Sequence, residues 1–235
     1  MPFDIEKDSE SMFELRLQII CNKPPLVKNN LYIEGLLKHN PKRAVKLLTV
    51  LLKIGLELDD DDLDIEVNCK NFTSNLDKFD AEYVLQELLP IIETLTTKNP
   101  DDRLSYYHWR SVEYGNNKLK RFCTNFAKAA ALILAQTDPN EFIIILRPHW
   151  NSQSEVLREI ILSGLELLPV DFSNDAINYL LLNSGINCVE RTSNEKYSIS
   201  LSQRVIEKFT CACDEDLFIK LEELILNCYV EILCQ

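Results

Sequence analysis

Glycine is scarce in this chain of 235 residues, which contains five glycines. They are Gly35, Gly55, Gly115, Gly164 and Gly185. No two of them lie closer than 20 positions in sequence. Phosphate-binding loops of the G-x-G-x-x-G and Walker types need clustered glycines, because backbone N–H groups must approach the phosphates closely. The spacing therefore excludes both of these nucleotide-binding motifs.

Histidine is scarcer still, since the chain contains only His39, His108 and His149. None of them stands in an H-E-x-x-H zinc-protease motif or follows the H-x-E pattern of deaminases, and the sequence has no G-x-S-x-G nucleophile elbow. Carboxylate pairs are too common among 37 acidic residues to indicate a catalytic dyad. The sequence therefore predicts that the chain is not an enzyme.

Long hydrophobic runs and a leader pattern are also lacking. The longest apolar runs, 129–135 and 142–146, are much shorter than a membrane-spanning helix. The 25 basic residues are outnumbered by 37 acidic ones, and the net charge of −12 argues against general binding to nucleic acid or to anionic membranes. We expect a globular, cytoplasmic protein without a membrane partner.

The sequence also lacks the usual metal-binding patterns. The eight cysteines fall mostly in apolar helical stretches, which is typical of reduced core residues, and Cys211 and Cys213 are spaced too closely for a usual zinc site. On a helix these two side chains would point apart. The acidic run 59–62 does not fit a calcium loop, because in a loop that starts at Asp60 the residues Ile65 and Asn71 occupy the positions that need glycine and glutamate. We predict no metal and no cofactor.

The sequence contains many patterns that mark the start of a helix. Asn40-Pro41, Asn99-Pro100 and Asp138-Pro139 each place an N-cap side chain before a proline at the first helical position. Ser11 and Ser152 are each followed after three residues by glutamate, as in a capping box. Apolar residues at helical spacing extend these starts into helices. The apolar residues of 45–54 wrap most of the way round their helix, as expected between neighbours. Single inward faces are predicted for Ala81, Val84, Leu85, Leu88, Ile92 and Leu95, and for Leu217, Leu221, Leu224, Ile225, Cys228 and Ile232. The predicted helices are 9–22, 26–38, 41–56, 80–97, 100–112, 116–136, 139–147, 152–167, 173–184, 200–212 and 214–234.

These helices predict an all-α fold of stacked antiparallel helix pairs, like an α-solenoid or helical repeat. We expect N-terminal helices in 1–56, an acidic loop in 57–79 and a helical-repeat-like domain in 80–235, with the alternative that the N-terminal helices join that domain. Residues 186–200 alternate apolar and polar positions and could form a small β-hairpin. A hairpin after a helix leaves open a winged-helix nucleic-acid module.

The centre of the chain differs in charge from its flanks. Residues 99–150 contain 5 acidic and 7 basic residues, whereas 1–98 and 151–235 have net charges of −6 and −8. Tyrosine, tryptophan and arginine are enriched at binding hot spots, and all three are interleaved here. The predicted partner-binding residues are Arg103, Tyr106, Tyr107, Trp109, Arg110, Lys118, Lys120 and Arg121. Their expected partner is a protein with an acidic surface, and an ordinary solvated surface is the alternative.

Arginine, histidine and tryptophan also occur together in 106–110 and 147–150. One interpretation is the active site of an enzyme of unrecognised type, in which these groups bind and polarise a substrate. The other is structural: the tryptophans fill gaps between helices, and the arginine and histidine side chains cap helix C-termini. The sequence leaves both open.

A family resemblance covers about a third of the chain. Residues Trp109, Arg121, Ala127 to Ala131 and Asp138-Pro139 carry its first part, and Leu168-Pro169, Phe172-Ser173, Tyr179-Leu180 and Gly185 carry its second. Together they resemble the helical-repeat regions of large bacterial STAND-type nucleotide-binding proteins, some of which act in antiphage defence. The resemblance implies a repeat or sensor region of a longer protein, separate from its ATPase domain, and it implies no catalytic residue.

Overall fold

The computed structural model describes residues 9–22, 36, 39–58, 76–97, 118–183 and 201–233. These residues are 86% helical and contain no strand, so the predicted all-α class is confirmed. The predicted helix 100–112, the hairpin 186–200, most of the acidic loop and most of the helix 26–38 lie outside the described residues.

Nine α-helices and two single 3-10 turns make up the described chain. The first four helices are α1 (Glu10–Asn22), α2 (Pro41–Leu58), α3 (Lys78–Thr97) and α4 (Lys118–Thr137). They are followed by α5 (Pro139–Leu146), α6 (Glu155–Leu165), α7 (Ser173–Leu182), α8 (Leu201–Phe209) and α9 (Glu215–Leu233). The 3-10 turns are Arg147–His149, which follows α5, and Val170–Phe172, which precedes α7.

The N-caps show why several helices begin where they do. Asn40 accepts a hydrogen bond from the backbone N–H of Arg43 at 3.2 Å, and Asp138 accepts one from Glu141 at 3.1 Å. Both predicted Asx-Pro starts within the described residues are therefore confirmed. Asp77 caps α3 in the same way through the N–H of Asp80, at 2.9 Å. Each side chain satisfies a backbone donor that has no partner inside the helix.

The two serine capping boxes were predicted two residues away from the real caps. In α1 the cap is Ser9, whose hydroxyl accepts from Met12 N–H at 3.3 Å, and Ser11 lies inside the helix. Glu14 does not reach back to the cap, because its carboxylate accepts a hydrogen bond from Lys46 at 2.8 Å.

In α6 the cap is Ser154, whose hydroxyl accepts from Leu157 N–H at 3.2 Å. Ser152 was the predicted cap, but its hydroxyl accepts from Ser154 N–H at 3.2 Å and so supports the cap from outside the helix. Extended backbone at Ser154 marks the point where the chain enters α6.

One hydrophobic core runs from Phe13 in α1 to Leu221 in α9. The first helices pack in chain order, since α1 lies on α2, α2 on α3 and α3 on α4, and α4 also lies on α6. The series continues from α6 to α8, from α8 to α7, and from α7 to α9, while α5 packs against α3 and α4. Within the described residues, α1 and α9 therefore stand at opposite ends of the series.

Helix α2 is buried over most of its circumference, as its sequence predicts. Buried residues surround most of the helix, because α1, α3 and α4 all pack against it. They are Ala44, Val45, Leu47, Leu48, Leu51, Leu52 and Ile54. Of the predicted inward positions of α3, five are buried, and they are Ala81, Val84, Leu85, Leu88 and Ile92. The side chain of the sixth, Leu95, lies outside the described residues.

The turn between α8 and α9 corrects the predicted helix 200–212, which ends at Phe209. Asn174 of α7 donates to the Asp214 carboxylate at 2.8 Å and accepts from Asp214 N–H at 2.9 Å. Ser173 adds a hydrogen bond to the carbonyl of Ala212 at 2.9 Å. These bonds hold the turn against the start of α7, and they place α9 beside α7.

Candidate functional site

The predicted central patch falls largely outside the described residues. The members of the patch that lie outside the described residues are Arg103, Tyr106, Tyr107, Trp109 and Arg110. Lys118, Lys120 and Arg121 lie in the first turn of α4, where the structure describes the backbone of the helix. Of the inward positions expected for this helix, Phe122 and Phe126 are buried and stack with ring centroids 5.6 Å apart. The partner-binding role of the patch stays a prediction.

Trp150 belongs to the core, in agreement with the packing interpretation. It is 6% exposed, and its ring meets Tyr179 edge-on with centroids 5.7 Å apart. The Arg147 guanidinium lies 5.3 Å from the Trp150 ring centroid and pairs with the Asp175 carboxylate at 2.7 Å. Arg147 is the C-cap residue of α5, as the packing interpretation expects, and its guanidinium bridges to α7.

His149 pairs with a carboxylate from a distant helix. Its Nδ1 lies 2.6 Å from Oε2 of Glu93, and both side chains are mostly buried. His149 lies in the last turn of the 3-10 helix, and its Nδ1 pairs with Glu93 instead of capping a helix. Beside the pair, a hydrogen bond joins the hydroxyl groups of Thr96 and Ser154. The C-terminal part of α3 is thus held to the segment between α5 and α6 by two polar contacts.

An imidazole oriented by a carboxylate is one component of a general-base site. The other component is a nucleophile within hydrogen-bonding reach of the second ring nitrogen. The neighbouring hydroxyls have other partners: Ser154 caps α6, and Ser152 accepts from Ser154 N–H. Among the described residues, no hydroxyl is hydrogen-bonded to the His149 ring. The His149–Glu93 contact joins α3 to the 3-10 turn that follows α5.

The cysteines are only partly the core residues that the sequence predicts. Cys123 is fully buried in α4, and burial raises the pKa of its thiol. Cys21 and Cys211 are exposed, which corrects the prediction for both. Cys211 and Cys213 lie in the α8–α9 turn instead of on a helix, and burial raises the pKa of the Cys213 thiol as well. Within the described ranges, no three His, Cys, Asp or Glu side chains come together as a metal-binding group.

Helix α1 carries an exposed apolar face that the sequence analysis missed. Met12, Leu15 and Ile19 are 45%, 49% and 42% exposed, and their spacing places them along one side of the helix. The inward side is formed by Phe13, Leu17 and Ile20. The signal was present in the sequence as a second apolar stripe. Which of the two stripes faces the core is decided by α2.

Helix α9 carries a second exposed apolar face at the other end of the packing series. Phe218, Ile219 and Leu226 are 42%, 44% and 58% exposed. The inward side is formed by Leu221, which is buried, and by the half-buried Leu217 and Ile225. This outward face was also missed, because the sequence analysis followed only the inward stripe.

In comparisons with known proteins, no family model, no curated protein and no solved structure matches this chain. None of the described helices combines the length and apolar character required to cross a membrane. The function must therefore be argued from the chain's own surfaces.

Proposed function

We propose that this chain is a non-catalytic helical scaffold or sensor region that mediates protein–protein interaction. The observation that carries the proposal is the pair of outward apolar faces on α1 and α9, the helices at the two ends of the packing series. Contiguous exposed apolar residues are characteristic of interaction sites, and the end helices of a self-contained repeat array normally have polar outer faces. Each of these two helices instead exposes three large apolar side chains.

The packing order supports the stacked-helix part of the proposal. Among the described helices, α1 to α4 each lie on the next, as helices do in a helical repeat. The resemblance to STAND-type proteins extends the proposal to a region of a larger bacterial defence or signalling protein, in the cytoplasm. The central patch, including Lys118, Lys120 and Arg121, is proposed as a further site for a partner with an acidic surface.

Affinity capture from the native host with site-specific variants tests this function. The first variant replaces Met12, Leu15 and Ile19 with serine, and the second replaces Lys118, Lys120 and Arg121 with glutamate. The control variant, Ile144→Ser with Val170→Ser, removes exposed apolar side chains from other parts of the surface. A protein bound by wild type and control, but lost from a test variant, should be purified and its affinity measured directly.

We expect at least one such partner, with affinity reduced at least about tenfold by the variant and an unchanged melting temperature. For the central patch, the loss should come mainly from a slower and less salt-dependent association rate. If both test variants retain the same proteins as wild type, neither the α1 face nor the central patch binds a partner, and the scaffold proposal is wrong for these two surfaces.

The enzyme alternative has one observation in its favour, the carboxylate-oriented imidazole of His149. A panel of ester, amide and phosphate substrates, tested with wild type and His149→Ala, separates the two functions. Turnover that disappears in His149→Ala would favour the enzyme and count against the scaffold. The nucleic-acid alternative depends on residues 186–200 and is tested by salt-sensitive binding to DNA or RNA.

A further inference from the structure

The outer face of α9 combines apolar and acidic side chains in a regular arrangement. Successive residues of a helix are rotated by about 100°, so residues seven apart lie on the same side. Ile219 and Leu226 are seven apart, and they lie on the side opposite the inward Leu217 and Leu221. The two exposed apolar residues therefore form a ridge on the surface of α9, two helical turns long.

Carboxylates stand on both sides of this ridge. Glu215 and Glu222 lie along one side of it, within four residues of Ile219 or Leu226, and Glu223 lies along the other. All three are exposed, and none of them forms an ion pair with another described residue. The surface thus offers apolar contact along its centre and negative charge along both edges.

The apolar ridge and the carboxylates on both sides of it favour some classes of binding partner over others. Nucleic acid and anionic membranes are repelled by the carboxylates. A second copy of α9 would bring like charges together across a symmetric interface. A helix with an apolar stripe bordered by lysine or arginine matches the surface in both apolar spacing and charge, as in helix pairs whose apolar seam is flanked by complementary charges.

We propose that the outer face of α9 is a docking surface for a basic amphipathic helix of a partner protein. The partner places its apolar stripe against Ile219 and Leu226 and its basic side chains against Glu215, Glu222 and Glu223. Phe218 is exposed beside the same surface and adds apolar contact to it. This inference rests on the proposed scaffold function and names the class of partner for one of its faces.

Purified full chain and synthetic peptides test the inference without any cellular partner. The probe is a fluorescent helical peptide with leucines at alternating spacings of three and four residues and lysines on both sides of that stripe. One control peptide has glutamate in place of every lysine, and a second has the probe's composition in a scrambled order without an apolar face. Fluorescence anisotropy measures affinity over a range of salt concentrations.

We expect the probe to bind more tightly than either control peptide. Ile219→Ser with Leu226→Ser should weaken its binding at least about tenfold, because both substitutions remove apolar surface that the peptide would cover. Ile144→Ser with Val170→Ser is the matched control and should leave binding unchanged. Melting temperatures of both variants should equal that of wild type, since all four side chains are well exposed.

The charge contribution has its own pair of variants. Glu222→Gln with Glu223→Gln should weaken binding and reduce its dependence on salt. Glu155→Gln with Glu207→Gln makes the same change in net charge at exposed positions on other helices and should have little effect. Equal effects of the two pairs would mean that only the overall negative charge attracts the peptide, and the proposed surface would be wrong.

Three further outcomes would overturn the inference: equal binding of the scrambled peptide, equal binding of the acidic peptide, or no loss in Ile219→Ser with Leu226→Ser. Light scattering measures the oligomeric state and tests whether the face joins two copies of the chain. If wild type is dimeric and this α9 variant is monomeric, the face is an interface between copies of the chain. Since these measurements use neither α1 nor the central patch, their failure would leave the general scaffold function to be decided by the capture experiment.

Discussion

Replacing Gly164 with alanine tests a close contact between α6 and α5. Gly164 lies in α6, and a methyl group at this position would overlap two ring atoms of Phe142 in α5. Phe142 is fully buried, so its ring has no solvent-facing position to move into. The absence of a side chain at Gly164 is therefore what allows the Phe142 ring to pack against α6.

Two effects of opposite sign determine how much Gly164→Ala changes the free energy of unfolding. Alanine is more favourable than glycine inside a helix by about 1 kcal/mol. Overpacking of a filled core typically costs about 1–3 kcal/mol, and the overlap with a fully buried ring places this substitution at the upper end. We expect Gly164→Ala to lower the free energy of unfolding by about 2 kcal/mol. For a chain of this size, that loss lowers the melting temperature by about 4–8 °C.

Urea denaturation followed by circular dichroism measures the effect, with Phe142→Leu completing a double-mutant cycle. The smaller side chain makes room for the new methyl group, so the double variant should lose less stability than the two single losses added together. Asn178→Ala, at an exposed position in α7, is the control for helix propensity and should be neutral or slightly stabilising. If Gly164→Ala were as stable as Asn178→Ala, the reasoning from the Phe142 contact would be refuted.

Three further predictions concern a thiol, a cap and an ion pair. Iodoacetamide should label the exposed Cys21 and Cys211 before the fully buried Cys123, and peptide mass spectrometry showing early labelling of Cys123 would contradict its place in the core. Asp138→Ala should lower the free energy of unfolding by about 1 kcal/mol in urea titrations, because it removes the acceptor for Glu141 N–H, whereas Asp138→Asn should retain most of the stability. Glu159→Gln should cost less than about 1 kcal/mol by the same assay, since its ion pair with Lys128 is about one third exposed, and a larger loss would show that the pair does more than join α4 to α6 at the surface.

Local chemistry made most of the helices predictable from sequence. Asn40 and Asp138 act as caps because an Asx side chain and a following proline suit the first turn of a helix, whatever the rest of the fold does. The inward residues of α2 and α3 followed from periodicity for a similar reason. Burial of one side of a helix imposes a spacing that can be counted in the sequence.

Contacts between distant parts of the chain were not predictable in this way. His149 and Glu93 are 56 residues apart, and no periodicity connects them. The turn at Cys211 replaced a predicted helical segment because Asn174 and Ser173 of α7 supply hydrogen bonds that favour the turn. Such bonds depend on which helices meet, and a single sequence does not contain that information in local form.

The two stripes of α1 show how far amphipathic analysis reaches and where it stops. Phe13 and Leu17 form one stripe, and Met12, Leu15 and Ile19 form the other, with similar apolar character. A helix that needs only one partner gains nothing from a second apolar stripe, which raises its tendency to aggregate. Helix α2 covers the first stripe. In the proposed scaffold, a partner would cover the second stripe of α1 and the ridge on α9, and this is the reason that the proposal offers for two apolar faces that the described chain leaves exposed.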